Sequence, residues 1–190
     1  MNRVTIAPAN LRDMTYIGAN LRPDDAREIL CQVPAGTTGA QAAAAIFQSV
    51  PGGWAWTASL DGNPACAFGF QPFTSPVWIG WAFGTRRMIR TIPAITRHCL
   101  LQEPRLLDLG VKRVEVRTLA DHDISHQWLT RLGCRFAADL PDHGRNRELF
   151  QLWAWSLTHG LPSLTKDYRN VCSEDAESTQ ASDPAEPQHG

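Results

Sequence analysis

Two apolar runs meet at residues 61–63, and that junction limits the fold more than any other stretch. Residues 54–60 and 64–71 flank Asp61-Gly62-Asn63. Asp-Gly accepts the positive φ angles that a tight hairpin turn needs, so the two runs are predicted to be antiparallel neighbours. A third run, 77–83, follows a short turn containing Pro76 and extends the meander. The middle of the chain therefore builds an antiparallel sheet, and helices must cover it.

The remaining elements follow from period and punctuation. Residues 3–7 read as a strand. Residues 11–21 read as a helix with Asn10 as N-cap and Leu11, Met14, Ile17 and Leu21 on one face. A second helix opens at Pro23, with Asp24 and Asp25 complementing its dipole. A third spans 38–49 and is stopped by Pro51-Gly52-Gly53. After the third apolar run the chain reads as helical over 86–109, bent or broken at Pro93 and Pro104. A strand at 112–118 precedes an amphipathic helix at 121–132, where Ile124, Trp128, Leu129 and Leu132 share a face and Gly133 closes. Strands 134–139 and 148–155 flank a polar turn. The expected class is α+β (mixed α/β): a mostly antiparallel sheet of about seven strands flanked by helices.

Charge excludes some functions. Of 190 residues, Lys and Arg number 18 and Asp and Glu 19, a balance that argues against general nucleic-acid binding. Two cations face six anions in 161–190, and from Ser173 onward no apolar period remains. That segment is expected to be a disordered acidic tail on a body of residues 1–160. No apolar stretch approaches the ~18 residues of a membrane span, and the N-terminus has no hydrophobic targeting region. Cys31, Cys66, Cys99, Cys134 and Cys172 form no CxxC pair. They read as reduced thiols of a cytoplasmic protein, with no structural zinc.

Against this background, the segment ADHDISHQWLTRLGCRF (120–136) resembles the part of the GNAT acyltransferase fold in which a polar residue opens a helix ending in Leu-Gly before a strand. RDMTYIGANLRPDDAREIL (12–30), DGNPACAFG (61–69) and WIGWAFGT (78–85) resemble a narrower group. These are GNAT-like proteins of tailed phages related to the T7-like internal virion protein A. The resemblance covers about residues 3–156. It implies two splayed parallel strands, 77–83 and 112–118, with acetyl-CoA between them. Its pantetheine arm would pair with the first strand, and its pyrophosphate would rest on amides at the next helix N-terminus. The matched cofactor-binding positions are Phe83, Gly84, Thr85, Arg86 and Arg87.

The chain departs from that pattern in four places. GTRRMIRTIP has one glycine where the family loop has two. His122 stands where the family carries Asn, and Leu129 where it carries the Tyr that protonates the thiolate. The strand VWIGWAF holds no ionisable group to serve as base. Glu115, mid-strand, and His122, an imidazole able to relay a proton, are the catalytic candidates that remain. His122 and His126 share a helix face, but no third metal ligand is evident. Two functions are therefore expected. One is an acetyl-CoA-dependent N-acyltransferase with a small-molecule partner. The other is a GNAT fold without catalysis that binds proteins, phage virion proteins among them.

Overall fold

A computed structural model describes residues 3–157, so the expected acidic tail and Cys172 lie outside the described residues. The element order is β1 (Val4–Pro8), α1 (Leu11–Ala19), α2 (Pro23–Leu30), α3 (Gly39–Ser49), β2 (Ala55–Leu60), β3 (Asn63–Thr74) and β4 (Val77–Gly84). A 3-10 turn at Met88–Thr91 leads to α4 (Ile92–Leu101), α5 (Glu103–Asp108), β5 (Arg113–Leu119), α6 (Asp123–Arg131), β6 (Arg135–Leu140) and β7 (Phe150–Ser156).

The sheet has the strand order β1-β2-β3-β4-β5-β7-β6. The β4–β5 pair is parallel, and the other pairs are antiparallel. The hairpin forms as expected, with Asp61 at φ 50° and Gly62 at φ 79°. Asn10 caps α1 by accepting from the Asp13 amide. Thr38 caps α3 in a reciprocal box with Gln41.

The region read as helical over 86–109 is broken, as one of the two expectations had it, but its first residues are not α-helical. The chain makes a turn and a 3-10 segment before α4 starts at Ile92, and Pro93 and Pro104 open α4 and α5 rather than kink one helix. A proline near a helix start loses a bond that position never makes.

Alternation along β3 sends successive side chains to opposite faces of the sheet. Ala67 joins Phe83, Met14, Ile17 and Ala43 in a core with α1 and α3. Phe68 and Phe70 join Trp54, Trp56, Trp78 and His98 in an aromatic cluster. The sheet is thus covered by helices on both faces. No described helix is long and apolar enough to cross a membrane.

Candidate active site

β4 and β5 pair over only three positions: Val77 with Arg113, Trp78 with Val114, Ile79 with Glu115. Beyond Ile79 they separate, while β4 stays paired with β3 as far as Gly84. A Cβ on Gly80, where they part, would stand 3.1 Å from Val114 Cγ1 and 3.2 Å from Val116 Cγ2. From Gly80 to Phe83 the edge of β4 toward β5 has no strand partner. Such an edge offers amides and carbonyls to an extended ligand. A cleft of about 290 Å³ opens at this divergence. It is walled by β4, by Val116, Arg117 and Thr118 of β5, by Glu28, Ile29 and Gln32 of α2, and by Ser125, Trp128 and Leu129 of α6. A second hollow of about 190 Å³ lies between the start of α4 and α6 and shares Ser125 and Trp128 with the first.

Glu28 is the polar centre of the cleft. Its Oε2 accepts from Thr118 Oγ1 at 2.6 Å and from the Leu119 amide at 3.0 Å, and His122 Nδ1 lies 2.9 Å away. The carboxylate orients the imidazole so that Nδ1 donates to it. Glu28 Oε1 has no hydrogen-bond partner among the described residues. Ser125 Oγ stands 3.1 Å from His122 Nδ1 and 3.3 Å from Nε2. Near-equal distances put the oxygen over the ring, not along a nitrogen lone pair, so Ser125 and His122 are not aligned as nucleophile and base.

α2 is held in place at both ends. Arg27 makes a two-pronged bond to Asp121, 2.7 Å on each arm. At the other end, buried Asp25 accepts from Arg22 Nε at 2.7 Å and from the Gly84 amide at 2.7 Å. Burial pushes the Asp25 carboxyl up, against the pull of Arg22 and that amide.

The sequence candidates fall in three places. His122 is 3% exposed and sits in the network at the N-cap of α6. Glu115 bonds Arg113 Nε at 2.8 Å and does not line the cleft. The Phe83 side chain is in the core, stacked on Trp81.

Of the turn expected to cradle a pyrophosphate, four amides are already bonded internally and that of Arg86 is not. Gly84 N donates to Asp25, Thr85 N to the Ala65 carbonyl at 2.8 Å, Arg87 N to Thr85 Oγ1 at 3.2 Å, and Met88 N to the Thr85 carbonyl at 2.9 Å. The helix expected to start there begins at Ile92, and its second residue, Pro93, has no N–H. Arg86, Arg87 and Arg90 are exposed and make no ion pair among the described residues. They line a broad hollow of about 680 Å³ with Asn20, Asp61 and Asn63.

Leu129, at the family's Tyr position, is buried. His126 Nε2 lies 3.1 Å from the Leu119 carbonyl, and its ring stacks on Trp153. Among the described residues no three His, Cys, Asp or Glu side chains gather to hold a metal. The sequence reading did not place Glu28, Arg117 or Ser125 in this cleft. Glu28 lies in a short amphipathic helix, and nothing local to it signals a partner 94 residues away.

No protein-family model and no curated protein matches the chain. Solved structures do. One, of a candidate phosphinothricin N-acetyltransferase, aligns with TM-score 0.66 at 14% identity, over 83% of this chain and 100% of that one. A GNAT-family acetyltransferase from Bacillus anthracis aligns with TM-score 0.59 at 12% identity, over 82% of this chain and 95% of the other. The acetyltransferase yncA of Salmonella typhimurium, solved with its cofactor acetyl-CoA, aligns with TM-score 0.56 at 12% identity, over 85% and 98%. Identities this low carry the architecture and not the chemistry. The splayed strands, the covering helices and these likenesses agree on one point: the chain has the GNAT fold.

Proposed function

We propose that the chain is an N-acyltransferase that takes an acyl group from acetyl-CoA and passes it to an amine in the β4–β5 cleft. The observation that carries this is the Glu28 carboxylate, held by three donors beside a strand edge that lacks its partner. The residues present fit part of the cofactor. The open edge of Gly80–Phe83 suits the amides of a pantetheine arm. The turn after β4 does not suit a pyrophosphate through its backbone, so the phosphates would depend on the guanidinium groups of Arg86, Arg87 and Arg90. Bound acetyl-CoA supplies a thioester carbonyl open to amine attack.

In this reading Glu28 Oε1 binds the amine and accepts its proton. His122 is a positioning residue, orienting the carboxylate through Nδ1. The Ser125 hydroxyl, common to both hollows, is the proton source near the leaving thiol. Glu115 has no part in it.

A second reading keeps the fold without the chemistry. The internally bonded turn favours it, as does the buried Leu129 where a proton donor would stand. Kinship with phage virion proteins belongs to this reading and rests on the sequence patterns at residues 12–30, 61–69 and 78–85.

The test is thiol release from acetyl-CoA with a panel of primary amines, for wild type and Glu28→Gln. Turnover reduced about 10²- to 10⁴-fold by the substitution, with acetyl-CoA still raising the melting temperature, supports the first reading. No turnover and no acetyl-CoA-dependent shift supports the second.

A further inference from the structure

We infer that the acceptor is a zwitterion, an apolar α-amino acid, with Glu28 taking its ammonium and Arg117 its carboxylate. This rests on the acyltransferase reading. Arg117 and Glu28 line the same cleft, from β5 and α2 respectively.

The usual structural role for an arginine on this strand is an ion pair with its acidic neighbour, and here that neighbour is taken. Glu115, two residues before, gives its carboxylate to Arg113. Arg117 is left with no ion-pair partner among the described residues. Its guanidinium lies 5.3 Å over the Phe73 ring, a contact that steadies the planar fork while leaving its N–H groups to donate. Its charge is felt nearby: after burial, it is what holds the His143 imidazole down.

Two residues of one cleft are thus left open, Glu28 with a carboxylate oxygen without a partner and Arg117 with a guanidinium without a counter-ion among the described residues. The same cleft is lined by the apolar side chains Ile29, Ile46, Ile79, Trp81 and Trp128, and by the polar Gln32 and Gln71. A planar fork matches a carboxylate in two-pronged fashion, and an apolar wall suits the side chain of the same molecule. A simple amine bound in the cleft leaves Arg117 unanswered, and a charge that a ligand desolvates without pairing is penalised.

The experiment uses matched sets: phenylalanine, phenylalaninamide and 2-phenylethylamine, then leucine and isoamylamine. Two quantities are read for each: kcat/KM for thiol release from acetyl-CoA, and affinity by tryptophan fluorescence without acetyl-CoA. Wild type is expected to prefer each free amino acid over its carboxylate-free partner by about ten- to a hundredfold. Arg117→Ala is expected to bring that ratio toward one, and Arg117→Lys to keep part of it.

If wild type turns over all of these amines with a ratio near one, the acceptor class is wrong and the acyltransferase reading stands. If no amine reacts and acetyl-CoA does not bind, the acyltransferase reading falls. The fluorescence ratio still decides the acceptor class in that case, and amino acids that bind no better than amines overturn it. Should Arg117→Ala fail to fold, the wild-type ratio and Arg117→Lys carry the test.

Discussion

Glu28 shows what a single residue can hide. On its own helix it is an acidic group among Asp24, Asp25 and Arg27, the pattern of a solvated face. Only the long-range fold brings it to Thr118, Leu119 and His122. The position of His122 at a helix start after a strand was legible, and its contact with Glu28 was not. Glu115 was legible as a strand residue, but its pairing with Arg113 was not. His98 allows a prediction at this scale. Burial beside Trp56 and Phe68, and then the charge of Arg105, hold its imidazole below the usual 6.5. The unfolded chain therefore takes up a proton that the fold resists. The stabilising contribution is fully present above pH 6.5 and is lost as pH falls below it. His98→Phe is expected to flatten the fall in stability between pH 7 and about pH 5, read by urea unfolding at each pH. An unchanged slope contradicts this.

Elements were legible where local chemistry decides them. The Asp61-Gly62 turn, the caps Asn10 and Thr38, and Pro23 at a helix start each act within a few residues. The stretch 86–109 was read less well, because a proline that breaks a helix and one that begins a helix look the same in sequence. The crossing of α1 and α3 was not legible at all. There Gly18 and Gly39 bring two backbones together: a Cβ on Gly18 would run into the Gly39 carbonyl oxygen and stand 2.7 Å from Ala43 Cβ. Backbone cannot rotate aside as a side chain can. Gly18→Ala is expected to cost about 1–3 kcal/mol, toward the upper end, measured as a lower urea midpoint with unchanged slope. A cost under ~0.5 kcal/mol would mean that the helices part freely.

At the scale of the whole molecule, the sheet does what no single element can. Seven described strands form one surface, and the two parallel members diverge after three pairs. This divergence makes an unpaired edge at the centre of a protein rather than at its rim, with α2 and α6 bringing Glu28 and Ser125 to it. The overall class was readable because the order of strands and helices admits few topologies. The placing of β7 between β5 and β6 was not, since it depends on pairings far apart in sequence. The central claim is that this edge receives an extended thioester arm. Amide hydrogen exchange, followed with and without saturating acetyl-CoA, tests it most directly. Slowed exchange in residues 80–83 of β4, with little change in the internally bonded turn at 84–88, is the predicted result. Exchange at 80–83 that acetyl-CoA leaves untouched would contradict the account.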